Sequence, residues 1–426
     1  MARDTNINLR NQLIYCVFVR NHTKEGTFNA LIPDLKRIRD LGTDILWLLP
    51  VNPIGETNRK GKLGSPYAIQ DYRKINPEYG TKEDFRNLID HCHELGMKVI
   101  MDIVYNHTSP DSVLKNEHPD WFLKDKKGDF KNKVIDWSDV SDLDYSQHNL
   151  WQYQIDTLKE WVKLVDGFRC DVAPLVPIDF WMEARKQVAK VRPDCVWLAE
   201  STGDGFIRNL RSQNYWASTD SELYQAFDIT YDYDISDEFH DYIDKKINDF
   251  QYAQALNHQD VEYPANYVKM RFLENHDNER AHKLLPNSND LLNWMMFSLF
   301  QKGIGLIYDG EEFGETHTPS LFDKDTIVTS SVLNFSPSIK KMKMIKNNSL
   351  CVSGNYKVEA FSNDIVSLTY SKGDKQLVGI FSLNSSNGIA KVTLNDGEYL
   401  NLFNNEKIKV RNQIVQTQGT PIILQN

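Results

Sequence analysis

The sequence has 426 residues, with 49 Lys and Arg against 59 Asp and Glu, for a formal net charge of −10. Phosphate binding needs clustered Lys and Arg, and no basic stripe is present, so nucleic acid is not expected as a partner. No apolar run reaches the ~20 residues of a bilayer span, and "MARDTNINLR" lacks the apolar core of a signal peptide. The expectation is a cytoplasmic protein without a membrane partner. The five cysteines (16, 92, 170, 195 and 351) never form a C-x-x-C pattern. That fits a reduced compartment with neither a disulfide framework nor a zinc site.

In chain order, "LIYCVFVR" (13–20) is a β-rich run. "TFNALIPDLKRIRDLG" (27–42) places Phe28, Leu31, Leu35 and Ile38 at helical spacing, with Gly42 as a stop. "DILWLL" (44–49) predicts a strand. "TKEDFRNLIDHCHELG" (81–96) predicts a second helix, with Thr81 as N-cap and Gly96 as stop. "MKVIMDIVY" (97–105) is again a strand. Residues 107–148 are polar and aromatic without helical period and read as a long insertion, a kind of loop that is usually functional. Further strands are expected at 165–172, 194–200, 226–230, 267–273 and 303–308. Eight short apolar strands alternating with helices imply a parallel sheet covered on both faces. At this length they suggest a closed (β/α)8 TIM barrel. A doubly wound open sheet is the alternative, but no Gly-rich phosphate loop follows the first strand.

The last ~75 residues change character. Short strands separated by "SND", "KGDK", "NSSNG" and "NDG" predict an antiparallel β-sandwich. The expected domains are a barrel from 1–106 and 149–348, a short inserted domain at 107–148, and a C-terminal domain at 349–426. The last is expected to cap the barrel; carbohydrate binding is the other reading.

The fourth strand carries Arg169 and Asp171 two residues apart, hence on one side. Phe168, Cys170 and Val172 would then face apolar packing. Acids also stand near three other strand ends: Asp102 in "VIMDIVYNH", Glu200 in "VWLAE" and Asp277 in "FLENHD". His107 and His276 accompany two of them. Singly, each has an ordinary explanation: a helix cap, a satisfied structural histidine, or a structural ion pair. Their shared register instead points to one mouth, because barrel active sites lie at the C-terminal strand ends. Several carboxylates with an Arg suit glycoside hydrolysis. One carboxylate attacks the anomeric carbon, and a second, kept protonated, serves the leaving oxygen. A neighbouring Arg should keep the nucleophile ionised.

"DIVYNH" (102–107), "GFRCD" (167–171), "WLAE" (197–200) and "FLENHD" (272–277) resemble, in order and spacing, the four short motifs of the α-amylase family, glycoside hydrolase family thirteen. "GSPYAIQDYRKINPEYGT" (64–81) and "GIGLIYDGEEFG" (303–314) resemble two further stretches of that family. The resemblance implies Asp171 as nucleophile, Glu200 as acid/base and Asp277 as transition-state stabiliser. It implies substrate-binding or supporting roles for Tyr67, Asp102, His107, Arg169 and His276. It also implies retention of anomeric configuration, with a carboxylate separation of roughly 5 Å between Asp171 and Glu200.

The expected substrate is an α-1,4-glucan oligosaccharide. Transglycosylation or isomerisation on the same site and an α-1,6 preference are alternatives. A non-catalytic binding subunit is the rival of another class. Two places depart from the pattern. Pro174 and Leu175 stand where many members carry a Lys and a His, the latter a calcium ligand through its backbone. Asn106 matches another calcium ligand. No cofactor or metal ligand set is therefore expected as a requirement, and calcium is left open.

Overall fold

Eight of the apolar runs form parallel strands: β1 (Leu13–Val17), β2 (Ile45–Leu48), β3 (Lys98–Ile103), β4 (Gly167–Cys170), β5 (Val196–Ala199), β6 (Ile229–Tyr231), β7 (Val268–Arg271) and β8 (Ile304–Tyr308). The computed structural model describes residues 3–327 and 333–426. Residues 1–2 and 328–332, which fall inside the barrel ranges above, lie outside them. The strands pair in sequence order, and β8 pairs with β1, so the sheet closes into a barrel. Closure removes the open-sheet alternative. The strands are three to six residues long, shorter than the apolar runs; most runs continue past their ladder into a loop at the mouth, while those at 226–230 and 303–308 begin before it. Apart from the half-buried Lys98, every strand residue is buried, as expected for a sheet covered on both faces.

Local chemistry sets the ends of the elements. Thr81 accepts a hydrogen bond from the Asp84 amide at 3.1 Å, and the Asp84 carboxylate accepts one from the Thr81 amide at 2.8 Å. This reciprocal cap opens helix Lys82–Glu94, which buries Phe85, Leu88, Ile89 and Cys92. The single helix expected at 27–42 is instead broken into Phe28–Leu31, a 3-10 turn Ile32–Asp34, and Leu35–Asp40. Pro33 sits at the break; it has no amide hydrogen to donate and its ring crowds the preceding turn. β4 begins on Gly167, where a Cβ would collide with the Val196 carbonyl of β5.

The insertion is closed at its base by a two-residue antiparallel pair, His107–Thr108 with Ser141–Asp142. It contains a short helix, Val113–Glu117, that the sequence pattern did not predict. Beyond the barrel, strands Asn355–Phe361, Ile365–Lys372, Lys375–Ser382 and Ile422–Gln425 form one antiparallel sheet, with two further strand pairs beside it. One face of this sheet meets those pairs in a separate core that includes Ile380, Val392 and Val415. The other face packs on helix Ser288–Phe300. Phe300 meets Tyr370 at 5.4 Å and Phe297 meets Phe381 at 5.6 Å between ring centroids. The Tyr370 hydroxyl donates to the Phe300 carbonyl at 2.8 Å. All five cysteines are free and buried. No helix among the described residues is long and apolar enough to cross a membrane.

Gly167→Ala should lower stability in denaturant unfolding by roughly 1–3 kcal/mol, the usual cost of overpacking. Gly205→Ala, in helix Asp204–Ser212 with open space around the glycine, should raise it by up to about 1 kcal/mol. Equal effects would contradict the backbone clash.

Candidate active site

Asp102 on β3 and Arg169 on β4 are direct register partners, which places their side chains side by side inside the barrel. The Arg169 side chain is fully buried. Its Nη1 donates to both oxygens of Asp102, at 2.9 and 3.0 Å, and to Asp171 Oδ1 at 2.9 Å. Its Nε donates to the Tyr231 hydroxyl at 3.0 Å. Its Nη2 lies 3.0 Å from Glu200 Oε2, a charge contact not aligned as a hydrogen bond. The guanidinium also stands 5.3 Å over the Trp47 ring and 5.6 Å over the Tyr67 ring. One buried cation therefore serves three carboxylates.

Asp171 and Glu200 are each the first residue beyond their strand. Their amides still extend the ladder, to Ile103 O at 2.8 Å and Cys170 O at 3.0 Å. The strand alternation does not continue to Val172, contrary to expectation. Val172 adopts a left-handed backbone with φ of 33°, which is strained for a β-branched residue. The turn aims its amide at Glu200 Oε2, 2.6 Å away, and its side chain packs with Leu175, Ile207 and Leu210. Asp171 and Glu200 thus each have one oxygen pinned and one turned free.

The other expected residues lie in the same place. Tyr67 stacks on His276 with centroids 5.4 Å apart and rings 16° from parallel. Its hydroxyl meets Asp102 Oδ2 at 3.1 Å and His276 Nε2 at 2.6 Å. Asp277, the most exposed of the acids, sits 3.0 Å from His276 Nε2. His107 Nε2 is 4.0 Å from Asp171 Oδ2. Asp171, Glu200 and Asp277 border a cleft of about 330 Å³ whose walls include Tyr67, Trp137 and Tyr233. That is within the range of small-molecule sites, about 300–1,000 Å³.

The electrostatics correct one expectation. Arg169 does not by itself keep Asp171 ionised. Burial, then the charge of Glu200, push the Asp171 carboxyl well above the usual range and outweigh Arg169. Burial also raises Glu200, helped by the charge of Asp277 and opposed by Arg169. Asp102 is raised by burial despite its two bonds to Arg169. Against the upward push of burial, His276 holds Asp277 below the usual range. Burial, with the charge of Lys133, lowers His107 to about 3. Burial, with one guanidinium divided three ways among the acids, leaves the cluster with excess negative charge, so it retains a proton beyond the pH at which an isolated carboxyl loses it.

The sequence reading missed several participants. Tyr231 ends β6, one residue beyond the expected strand, and Trp47 lies inside β2; aromatic residues at barrel-strand ends were the available signal. Trp137, Tyr233 and Lys133 offered none. Lys133 bears on the calcium question. Its Nζ donates to Asn106 Oδ1 at 2.6 Å and lies 3.4 Å from the Leu175 carbonyl oxygen. The oxygens at two positions matching calcium ligands thus already face a cation, and the residues present do not fit the ion.

A closed parallel barrel with acids from four strand ends gathered around one cleft defines a (β/α)8 barrel with an acidic mouth. The description "Alpha amylase, catalytic domain" matches residues 14–357, and "Bacterial Alpha amylase C-terminal domain" matches residues 357–424. The chain belongs to the α-amylase family of glycoside hydrolases. It is similar to the crystal structure of an α-amylase from Lactobacillus plantarum, 52% identical with a TM-score of 0.97, covering 99% of this chain and 100% of that one. It is also similar to a noncanonic maltogenic α-amylase, AmyB, from Thermotoga neapolitana, 35% identical with a TM-score of 0.87, covering 98% and 99%. Alpha-amylase 3 of Dictyoglomus thermophilum is 27% identical over 341 residues, 72% of this chain, and the chain spans only 64% of that protein's length.

A carboxyl held above its unfolded value of about 3.9 loses its proton later in the folded chain than in the unfolded one. Its contribution is fully present below that value and is lost as pH rises through the raised folded value. Asp171→Asn should therefore raise the melting temperature at about pH 8, by about 1 °C per kcal/mol relieved in a chain of this length. The gain should shrink toward about pH 4. A melting temperature that falls at pH 8 would contradict the excess negative charge.

Proposed function

We propose that this chain is a retaining α-glycosidase that cleaves α-1,4-glucosidic bonds in maltooligosaccharides or starch-type glucans. The observation that carries the proposal is that Asp171 and Glu200 share one buried guanidinium at the floor of the cleft, each with a free oxygen. Two carboxylates held within 2.9 and 3.0 Å of one guanidinium are compatible with the short separation of double displacement, whereas a single attack by water needs a wider gap. Similarity to structures named α-amylase and maltogenic α-amylase supports the substrate class.

In the first step the proton that the coupled carboxyls share resides on Glu200, and the free oxygen of the Asp171 carboxylate attacks the anomeric carbon. The glycosidic C–O bond breaks, and Glu200 gives its proton to the leaving oxygen. The oxocarbenium-like charge that develops on the sugar is met by Asp171 and Asp277. In the second step Glu200, now a carboxylate, takes a proton from water. The water oxygen bonds the anomeric carbon, and Asp171 is released. Arg169 and the Val172 amide hold the two carboxylates in place, and burial supplies the proton-retaining environment the acid needs. Tyr67, His107 and His276 offer a stacking face and donors to a sugar ring. A cytoplasmic site of action is part of the proposal; the five free, buried thiols are compatible with it.

Glu200→Gln should lower kcat on maltohexaose by roughly 10²–10⁴, and Asp171→Asn by at least as much, with both proteins still folded by circular dichroism. A proton NMR time course of the native protein on maltohexaose should show new α-anomeric reducing ends together with shorter chains. Chain lengths that redistribute without new reducing ends would make the protein a transferase. A full-activity Asp171→Asn protein would remove the assignment altogether.

A further inference from the structure

Behind His107 a chain of hydrogen bonds leads out of the cleft into the insertion. Lys133 lies in that insertion, yet its Nζ donates to Asn106 Oδ1 at the end of β3. It also approaches the Leu175 carbonyl beyond β4. The Lys133 amide donates to Asp142 Oδ2 at 2.8 Å, and Asn106 Nδ2 lies 3.5 Å from Asp142 Oδ1. One ammonium thus joins three segments: the insertion and the loops after two neighbouring strands.

The chemistry of the donors then fixes orientations. An ammonium only donates, so the Asn106 amide must turn its oxygen to Lys133. Its nitrogen then faces His107, where Nδ2 donates to Nδ1 at 3.0 Å. A ring nitrogen that accepts carries no hydrogen, so the ring proton resides on Nε2. That nitrogen is the one 4.0 Å from Asp171 Oδ2, on the cleft side.

We infer that Lys133 is a positioning residue that acts as a built-in cation. It stands where the matched calcium-ligand positions converge, leaves no place for that ion, and through Asn106 sets His107 in the tautomer that presents an N–H to substrate beside Asp171. Lys133 reaches no cleft carboxylate and takes no part in bond making. Its effect passes through Asn106 and His107. The inference rests on reading the cleft as the glycosidase site, but its spectroscopic and thermal tests need no turnover.

The native protein, labelled with ¹⁵N-histidine, should show His107 with an unprotonated Nδ1 and a protonated Nε2, assigned by the signals lost in His107→Gln. The opposite tautomer would overturn the inference. The melting temperature of the native protein should be the same in EDTA and in millimolar calcium chloride; a fall in EDTA that calcium restores would overturn it. Lys133→Met should mix the two tautomers and lower kcat by about tenfold, as loss of an orienting partner commonly does, with a smaller change in KM. Lys133→Arg, which keeps the charge, should recover part of kcat. A folded Lys133→Met protein with native kcat and an unchanged His107 spectrum would refute the role. If that variant does not fold, the native spectrum and the EDTA comparison decide.

Discussion

The site is organised around the Arg169 guanidinium. A fully buried cation is costly unless paired and hydrogen-bonded, and here the partners come from five strands or the residues just beyond them: Trp47, Asp102, Asp171, Glu200 and Tyr231. Each partner is held in turn by the barrel. Asp102 is placed by register with Arg169, and Asp171 and Glu200 by ladder bonds that outlast the strands. Removing the guanidinium would leave three buried carboxylates facing one another. Burial, together with this shortage of positive charge, makes the cluster retain a proton, which the proposed acid requires.

The surroundings hold this arrangement under strain. Val172 sits in a left-handed backbone that costs a β-branched residue of order 1–3 kcal/mol. It persists because its amide has Glu200 to bond and its side chain has Leu175, Ile207 and Leu210 to pack against. The insertion adds Trp137, which packs against the same apolar cluster and meets His107 at 5.5 Å between centroids, and Lys133 behind His107. The C-terminal sheet touches none of this. Its aromatic face is continuous with the barrel core through Phe297 and Phe300, which makes it part of the packing that keeps the barrel closed.

Much of the architecture was legible in the sequence, for a physical reason. A buried parallel strand must be a short apolar run, and a capped helix must begin on a residue such as Thr81, so both leave local marks. The acids were legible because a carboxylate at the end of an apolar strand has few uses. Pro33 apart, a local mark that the apolar spacing hid, what was not legible depends on sums over distant residues. Pro33 breaks a helix whose apolar spacing was otherwise correct. Val172 leaves the strand alternation because Glu200, 28 residues later, bonds its amide. The upward shift of Asp171 requires knowing how deeply it is buried and that Glu200 lies beside it, with Arg169 shared among three carboxylates. Lys133 sits in a stretch without periodicity and is read only from where the chain places its Nζ.

The central claim is that Asp171 is the nucleophile and Glu200 the acid/base of one double displacement. The most direct test uses α-maltosyl fluoride with the Glu200→Gln protein. Fluoride leaves without an acid, while water cannot be activated to release the sugar. The account predicts a glycosyl-enzyme that accumulates, with the added mass on the proteolytic peptide containing Asp171 and absent when Asp171→Asn is combined with it. A stable adduct on any other residue, or rapid turnover to a β-anomeric product with no adduct, would contradict it.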